Sequence, residues 1–372
     1  WARSNAVLSA TYLPLVMVLS SIGVALALVG GGWSVMDGAI SIGTLVAFMQ
    51  FAALFFMPVE ELARRFGDIQ SAQSWAERLQ TLMDAEVTIR DSESVRAVIA
   101  RHAASGSADP ALAEDGLPRR IGRIDFRNVG FSYGAGPKVL DDVSLAIEPG
   151  QTVALVGPTG GGKSTIVSLL CRFYEPTTGA VLIDGVEYRE RSLHWLQSSL
   201  GIVQQVPHLF AGTILENIRY GRLAASDEEV EKAARTVNAH AFVVALEHGY
   251  ETQVGEGGSR LSTGQRQLVA LARAVLADPA IFILDEATSS VDTETERLIQ
   301  AGVERILAGR ISLVIAHRLS TIRSADQILV VDGGRIVERG NHDTLMRRRG
   351  RYHELYLHHV QAQAERSLLG RT

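Results

Sequence analysis

The sequence predicts an α/β domain with a mixed sheet and a helical subdomain, preceded by an all-α transmembrane hairpin. Three observations support this fold class. A glycine-rich loop lies between a predicted strand and a predicted helix, two apolar runs near the start are each long enough to cross a bilayer, and several short apolar runs typical of buried strands follow the loop. A chain of 372 residues has room for two or more such units.

Composition narrows the functional class. The chain has a net charge of -5, 47% hydrophobic residues and a mean hydropathy of +0.12, which is high for a purely soluble protein. A pI near 6.1 without a long Lys/Arg run argues against nucleic acid as the main partner. The single cysteine, Cys171, excludes an internal disulfide and is expected to be buried. Because the chain opens at Trp1 without a signal-peptide pattern, we expect a fragment of a longer polypeptide.

The two apolar runs predict membrane spans near Tyr12 to Gly31 and near Gly43 to Val59. Arg3 precedes the first span and the Arg64-Arg65 pair follows the second, so the positive-inside rule places both ends in the cytosol. The alternative is a buried hairpin of a soluble protein, which two consecutive uncharged runs of this length disfavour. A single hairpin cannot form a translocation path, and we expect further spans upstream.

Beyond Pro58, apolar residues recur at helical spacing among charged ones, which predicts a helix that leaves the lipid and continues in water. Asp91 to Pro118 is rich in Ala, Ser, Gly, Asp, Glu and Pro, and is expected to be a linker with one short helix at Glu93 to Ala103. The predicted domains are a membrane hairpin (1–65), a cytosolic helix extension and linker (66–121), an α/β domain (122–360) and a tail (361–372).

The glycine-rich loop has the context of the phosphate loop in a P-loop NTPase. It follows the apolar run Thr152 to Val156 and precedes a helical run, Ile166 to Phe173. Its glycines let successive N–H groups point inward, and the start of the helix adds its positive dipole end. Lys163 would reach the β- and γ-phosphates and Ser164 would give a hydroxyl to Mg²⁺. The expected phosphate-binding residues are Gly157, Pro158, Thr159, Gly160, Gly161, Gly162, Lys163, Ser164 and Thr165.

A phosphate loop alone leaves kinases, GTPases, helicases and transport ATPases open, and a plain glycine-rich turn is the weak structural alternative. Upstream of the loop, the alternating run Ile124 to Phe131 predicts a strand that ends beside Tyr133. Tyr133 could stack on a nucleotide base or merely fill a groove, and the local sequence favours neither. Further short strands are predicted at Val139 to Ile147, Ala180 to Asp184 and Gly201 to Gln204.

Capping signals mark a helical subdomain. Ser226 to Glu229 has the form of a capping box before the helical run Val230 to Val237. The stretch Leu261 to Gln265 opens a second helical run, Arg266 to Ala277, which stops at Asp278-Pro279.

Two buried strands end in chemically capable residues. The apolar run Ala280 to Leu284 ends in Asp285 and Glu286, where carboxylates at the end of a parallel strand point into a ligand crevice. Asp285 would hold Mg²⁺ through water and Glu286 would orient or deprotonate the attacking water; a cap or surface ion pair is the weaker alternative. The run Ile311 to Ala316 ends in His317, a residue usually structural but here placed to sense a γ-phosphate.

The C-terminal part predicts a β-hairpin and a helix. Ile328 to Asp332 and Arg335 to Glu338 flank the turn Gly333-Gly334. The tail is expected to be an exposed amphipathic helix and not a metal site, because no acidic or cysteine ligands accompany its histidines at metal-site spacing. The residues concerned are Tyr352, His353, Tyr356, His358 and His359.

Taken together these residues resemble the ABC exporter family, specifically half-transporters with membrane and nucleotide-binding domains in one polypeptide. The resemblance covers Ile124 to Tyr356, and the hairpin is similar to the last two of six spans. Thr252 to Glu256 is similar to the short exporter-specific loop before the signature. The ordered motifs are the aromatic Tyr133, the Walker A loop Gly157 to Thr165, the Q-loop Gln205, the signature Leu261 to Gln265, the Walker B pair Asp285 and Glu286, the D-loop Ser289 to Asp292 and the switch His317.

The resemblance implies that two nucleotide domains bind two ATP molecules head to tail, each between one Walker A loop and the partner's signature. Mg²⁺ would be held by Ser164, Gln205 and Asp285. Hydrolysis would use Glu286, His317 and Gln205, and motion would pass to the membrane through Gln205 and Glu256. The remaining nucleotide contacts would be Ser262, Gly264, Gln265 and Asp292. Ser262 at a helix N-terminus independently offers a second anion site on the domain.

The implied setting is the plasma membrane, with the nucleotide domain in the cytosol. The partners are the lipid bilayer, a second half-transporter chain and a transported substrate that the sequence does not identify.

Two residues depart from the pattern of the family. Thr263 stands where the family usually has Gly, and Val206 where an acidic residue is common. Together with intact Glu286, Thr263 fits one chain of a heterodimer, or a tolerated variant in a homodimer. Two other classes remain: a soluble ABC ATPase of DNA repair or translation, and a weakly hydrolysing regulatory subunit.

Overall fold

The computed structural model describes residues 2–105, 109, 111–285, 293–316 and 318–369. Its chain divides into two compact units, Trp1–Thr88 and Ile89–Thr372. The first is wholly helical and the second is an α/β unit, so the predicted fold class is confirmed.

The first unit consists of helices α1 (Ala2–Met36) and α2 (Ile42–Met83). Ser41 caps α2, because its hydroxyl accepts a hydrogen bond from the Thr44 amide. In the described part of the chain, Pro14–Met36 is the one helical segment long and apolar enough to cross a membrane, with a hydropathy of 2.2, and Ile42–Ala52 is a shorter apolar segment. The first predicted span lies largely within Pro14–Met36, and the second, Gly43 to Val59, extends seven residues beyond the shorter apolar segment within α2.

The second unit contains ten strands and eleven α-helices within the described residues. The strands are β1 (Ile124–Ser132), β2 (Lys138–Ile147), β3 (Thr152–Val156), β4 (Thr178–Ile183), β5 (Val186–Glu187), β6 (Leu200–Val203), β7 (Ile281–Asp285), β8 (Ile311–Ile315), β9 (Gln327–Asp332) and β10 (Arg335–Gly340). The helices are α3 (Glu93–Ala104), α4 (Lys163–Leu170), α5 (Leu193–Ser198), α6 (Ile214–Arg219), α7 (Asp227–Thr236), α8 (His240–Val244), α9 (Thr263–Leu276), α10 (Thr293–Leu307), α11 (Leu319–Ser324), α12 (His342–Arg348) and α13 (Arg351–Leu369).

Two sheets form the scaffold. The larger has the order β10-β9-β3-β8-β7-β6 and is parallel except for β10, which pairs antiparallel with β9. The smaller is antiparallel, with the order β2-β1-β4-β5. The antiparallel edge strand makes the larger sheet mixed, as predicted, and the hairpin around Gly333-Gly334 is confirmed. β3 and β8 are buried along their whole length, as their continuous apolar runs predict.

Alternate residues of each central strand enter different hydrophobic clusters. In β3, Val153 and Leu155 pack with α4 and the antiparallel sheet, whereas Ala154 and Val156 pack with α7, α9 and α10. We call these two sides the α4 face and the α9 face. Cys171, which follows α4, is completely buried on the α4 face, and burial raises the pKa of its thiol to about 12. The prediction that Cys171 is buried is confirmed.

The segment expected to be a linker is folded against the α/β unit. Its short helix is present as α3. Beyond α3, the Asp115 carboxylate accepts a hydrogen bond from Arg191 Nε at 2.9 Å, and Asp91 accepts one from the Leu193 amide at 2.8 Å. Both side chains of the Asp115–Arg191 pair are only 3% exposed. Composition alone predicted only a linker. The partners of these carboxylates lie far along the chain, so the local sequence does not reveal them.

The tail forms the predicted helix, α13, but its first turn is not exposed. Tyr352 is 1% exposed, and its hydroxyl lies 2.7 Å from His342 Nδ1. The Glu338 carboxylate accepts a hydrogen bond from the Tyr352 amide at 2.9 Å. The expectation of exposure was therefore wrong for Tyr352, because α12 folds back and covers this turn. Within the ranges described, no three metal-type side chains cluster together.

Candidate nucleotide-binding site

The strand register brings the predicted motifs to one edge of the larger sheet. Leu155 of β3 pairs with Ile315 of β8, and Ile315 also pairs with Asp285 of β7. The phosphate loop directly follows β3, and Gln205 lies two residues beyond β6, the strand next to β7. Because carboxyl ends of parallel strands meet at one edge, this is the crevice where ligands bind in α/β sheets. Glu286, His317 and the whole predicted D-loop, Ser289 to Asp292, lie outside the described residues.

The phosphate loop uses backbone conformations that favour glycine. Gly157, Gly160 and Gly162 have φ values of 154°, 79° and 107°. A Cβ atom on Gly157 would lie 2.0 Å from the carbonyl oxygen of Val331 in β9, so the loop passes too close to that strand for any side chain. Gly162 is the N-cap of α4 and no side chain caps this helix. The first N–H groups of α4 are therefore not satisfied by a cap and suit an anion.

Lys163 lies across the mouth of the loop. Its Nζ donates hydrogen bonds to the carbonyl oxygens of Gly157 and Pro158, both at 2.8 Å. The side chain is buried, and burial lowers the pKa of the ammonium, whereas the charge of Asp285 opposes that shift. Among the described residues this cation lies near two carbonyl oxygens and the Asp285 carboxylate, and its charge suits a polyphosphate.

Exposure separates the remaining loop residues into two groups. Thr159, Gly160 and Ser164 are exposed, whereas Gly161 and Thr165 are buried. The exposed Ser164 hydroxyl, at the second position of α4, is accessible to a metal ion.

Tyr133 is attached to the phosphate-loop helix and remains partly exposed. Its hydroxyl lies 3.1 Å from Thr165 Oγ1. Its ring meets Phe131 and Tyr174 edge to face, with centroids 4.7 and 5.0 Å apart, and the residue is 41% exposed. The ring therefore packs against neighbours and still offers surface for a base, so that both sequence alternatives find support. That a base stacks there stays a prediction.

The Q-loop opens onto an apolar surface that the sequence analysis missed. Gln205 is exposed, and the next residue, Val206, is 72% exposed. Phe210 and Tyr220 are also exposed, and the Arg273 guanidinium lies 5.4 and 5.7 Å from their ring centroids. We call Phe210 and Tyr220, whose ring centroids lie 4.6 Å apart, the Q-loop apolar patch. These residues are scattered in sequence, and only α9 brings Arg273 beneath them.

The signature stretch begins α9 with a complete capping box. Ser262 Oγ accepts a hydrogen bond from the Gln265 amide at 3.2 Å, and Gln265 Oε1 accepts one from the Ser262 amide at 2.9 Å. The helix thus begins at Thr263, three residues before the predicted start. Ser262 is exposed, Gln265 is half-buried and Gly264 is buried. The Ser262 side chain remains accessible at the positive end of α9.

The residue that departs from the family pattern, Thr263, is held from within the domain. Its Oγ1 accepts a hydrogen bond from Arg266 Nη2 at 3.0 Å. Arg266 Nη1 also donates to the carbonyl oxygen of Leu261 at 2.8 Å. Arg266 therefore links the threonine hydroxyl to the backbone at the start of the signature, and a glycine could not make this contact.

The exporter-like loop before the signature is joined to α6. The Ile214 amide donates to the Thr252 carbonyl at 3.0 Å, and the Val254 amide donates to the Gly212 carbonyl at 2.9 Å. Val254 is completely buried, whereas Glu256 is exposed. This fixed backbone presents Glu256 at the surface.

The arrangement fits ATP and Mg²⁺. The loop leaves no room for a Cβ at Gly157 or Gly161, where that atom would lie 2.0 and 2.9 Å from the Val331 carbonyl oxygen, and the helix that follows the loop begins with N–H groups that suit phosphate. The oxygen donors at the same edge are the Ser164 hydroxyl, the Gln205 amide and the Asp285 carboxylate, which are the ligand types that Mg²⁺ prefers.

Comparison with known proteins agrees with this geometry. Residues 140–289 match the family model described as "ABC transporter". The chain is 44% identical over 348 residues to a fatty acid ABC transporter ATP-binding/permease protein of Mycobacterium bovis, covering 94% of this chain and 52% of that protein. It is 42% identical over 343 residues to the ATP-dependent lipid A-core flippase of Syntrophus aciditrophicus, covering 92% and 54%. The chain thus spans about half the length of the curated relatives it matches.

A solved structure shows the same architecture. A bacterial Atm1-family ABC exporter with ATP bound superimposes with a TM-score of 0.66 at 35% identity, covering 96% of this chain and 58% of the other. The family model, the relatives and the fold agree on one assignment. The chain therefore belongs to the ABC transporter family, and the relatives that it matches over about half their length are ABC transporters of the exporter type.

Proposed function

We propose that this chain is the ATP-binding and ATP-hydrolysing half of an ABC exporter in the plasma membrane. The observation that carries the proposal is the meeting of the phosphate loop, Asp285 and Gln205 at one edge of the parallel sheet. In this reading the N–H groups of the loop bind phosphate oxygens and the Lys163 ammonium balances their charge. Bound Mg²⁺ would neutralise charge that develops on the phosphates.

Two nucleotide domains would close head to tail around two ATP molecules. The support is the second helix N-terminus, that of α9, where Ser262 is exposed although the domain's own phosphate loop already has α4. A partner's γ-phosphate would accept a hydrogen bond from the Ser262 hydroxyl, and the positive end of the α9 dipole would stabilise its charge. Because these contacts form only in the closed dimer, ATP would shift the population toward it.

Hydrolysis would rest on residues that follow β7 and β8. Glu286, next to Asp285, would act as general base or orient the attacking water, with His317 and Gln205 beside it, and Asp292 would contact the nucleotide. A base of this kind contributes about 10²–10⁴-fold in rate. These roles rest on sequence position, since Glu286, Asp292 and His317 lie outside the described residues.

Transport would follow from the surfaces around Gln205 and Glu256. Both side chains are exposed, and the Q-loop apolar patch begins at Phe210, a short distance after Gln205 in sequence. An exposed apolar patch of this kind suits docking of another protein segment, and here cytosolic parts of a membrane domain would carry the motion to the bilayer. Relatives named for fatty acids and for lipid A-core favour a lipid-like amphiphile as the exported substrate.

The deciding experiment is steady-state ATPase of the full-length protein in lipid nanodiscs, beside Glu286→Gln. We expect the substitution to lower kcat by about 10²–10⁴-fold with nucleotide binding intact. Unchanged turnover in the variant would refute the proposed hydrolytic role.

Turnover by the purified chain alone would establish a homodimer. A folded wild type that binds ATP without turnover, but hydrolyses it with another half-exporter, would establish the heterodimer that Thr263 suggests.

The second candidate is a weakly hydrolysing regulatory subunit that gates a partner. The observation in its favour is Thr263, whose side chain is tied to Arg266 at the start of α9. This candidate predicts that Glu286→Gln has no effect on ATPase of the assembled transporter, whereas the exporter proposal predicts a large loss.

A further inference from the structure

We infer that Gly334, the second residue of the turn between β9 and β10, is a positioning residue for the phosphate loop. This inference rests on the proposed function, because it concerns how the loop holds a nucleoside di- or triphosphate. The Gly334 amide donates a hydrogen bond to the carbonyl oxygen of Gly161 at 3.1 Å. Gly161 lies in the middle of the loop, so a residue of the β9–β10 hairpin, more than 170 positions later, bonds directly to the phosphate-binding backbone.

The bond to Gly334 fixes the orientation of the peptide between Gly161 and Gly162. In a trans peptide the C=O of one residue and the N–H of the next point in opposite directions. Because the Gly161 carbonyl points to Gly334, the N–H of Gly162 points away from the hairpin and toward the phosphate-binding side. Gly162 is the N-cap of α4 and has a φ of 107°, so its peptide has no side-chain cap to hold it. The hairpin supplies the missing constraint.

The turn is wedged between the loop and strand β2. The Gly334 carbonyl accepts a hydrogen bond from the Asp141 amide at 2.9 Å. A Cβ on Gly334 would lie 2.3 Å from the Val139 carbonyl oxygen, so the turn cannot take a side chain without moving from its place. Its neighbour Gly333 has nothing within 4 Å of such a Cβ. Both glycines have positive φ, 54° at Gly333 and 76° at Gly334, and they differ mainly in this contact.

Charged side chains fasten the hairpin to β2 from outside. The Asp141 carboxylate forms ion pairs with Lys138 in the same strand and with Arg335, the residue after the turn. Hydrogen bonds from Lys138 and Arg335 lower the pKa of Asp141. This pair of contacts is exposed, and removing it loosens the hairpin without opening the core.

The test compares Gly334→Ala with Gly333→Ala in the full-length protein in nanodiscs, using fluorescent ATP and ADP analogues. We expect Gly334→Ala to raise the dissociation constants for ATP and ADP by the same factor of about ten, because hydrogen bonds from the loop to charged phosphate are strong. Gly333→Ala should change both by less than about twofold, since it pays only the backbone cost. For Gly334→Ala, KM for ATP should rise while kcat at saturating ATP stays within about twofold.

Equal melting temperatures of the two variants would separate positioning from loss of fold. A folded Gly334→Ala protein with unchanged dissociation constants would overturn the inference, as would a change confined to ATP. If Gly334→Ala does not fold, Asp141→Asn decides: we expect both dissociation constants to rise about twofold at low salt and to return to wild type at high salt. No effect of Asp141→Asn at low salt would then overturn it. A wild type that binds neither nucleotide would count against the proposed function instead.

Discussion

The α4 face and the α9 face of the larger sheet each carry a helix whose N-terminus could bind an anion. The two N-termini differ in how they are capped. On the α4 face, the N-cap Gly162 has no side-chain bond to the helix. On the α9 face, Ser262 and Gln265 form a reciprocal capping box, and Thr263 is bonded to Arg266.

The difference indicates how each terminus meets phosphate. The N-cap Gly162 offers no side chain to the first N–H groups of α4, so we expect the conformation of this terminus to depend on the hairpin and on a bound nucleotide. The start of α9 is already stabilised by its own capping box. In the proposed dimer, this terminus would keep its structure before it binds a partner's nucleotide. One helix would bind phosphate alone and the other only in the closed dimer.

The largest effect is expected at the α4 terminus. Lys163→Met should lower kcat/KM for ATP by about 10³-fold, because it removes the ammonium that lies across the mouth of the loop. Binding of the fluorescent ATP analogue should be weakened as well as hydrolysis. Tight binding retained by the variant would show that the α4 terminus does not depend on this ammonium and would break the comparison. Measurement in nanodiscs beside wild type gives both quantities.

How far the sequence could anticipate this arrangement depends on the range of the interactions. β3 was predicted residue for residue, because a short apolar run after a turn and before Gly-rich sequence is a local signal. The start of α9 was placed too late, although Ser262 and Gln265 carry the local capping signal. The anchoring of Asp115 by Arg191, the bond from Gly334 to Gly161 and the Q-loop apolar patch could not be predicted, because each joins segments that are distant in the chain.

A second test asks whether the anchored segment supports the α4 face. Burial alone would raise the pKa of Asp115, but hydrogen bonds from Arg191, Ser192 and Leu117 outweigh it and lower that pKa. Asp115→Asn would leave the Arg191 charge buried without its counter-ion and should destabilise the protein by about 3 kcal/mol. The matched control is Asp227→Asn, which removes an exposed ion pair with Arg219 on the α9 face and should cost less than about 0.5 kcal/mol.

The pH dependence of this loss follows from the direction of the shift. Since the folded pKa of Asp115 lies below the unfolded value of about 3.9, its stabilising contribution is complete above about pH 5. The contribution declines as the pH falls through the folded pKa, so the gap between wild type and Asp115→Asn should narrow in acid. Thermal melts at several pH values measure it. A gap that widens in acid would contradict a carboxylate stabilised by Arg191.

A third test addresses the α9 terminus directly. Ser262→Ala removes one half of the capping box and the hydroxyl proposed to meet a partner's phosphate, and should lower ATPase activity by about tenfold. The control is Ser226→Ala, which breaks the equivalent capping box of α7 away from the proposed site. If both variants lose equal activity, the effect is one of helix stability, and α9 has no special role in nucleotide binding.

The smallest expected effect is at Thr263. Thr263→Gly removes the bond from Arg266 and adds backbone freedom at the first helical position, which should cost about 1 kcal/mol of stability. It also restores the residue usual in the family. In a heterodimer we expect ATPase to rise about threefold or less, because the α9 terminus gains close approach to phosphate. Arg266→Gln is the control, since it loosens the same hydrogen bond while keeping the threonine. A fall in activity in Thr263→Gly, matched by Arg266→Gln, would mean that the Thr263–Arg266 bond is what keeps the α9 terminus competent, and the two helix starts would then both depend on contacts from outside their first turn.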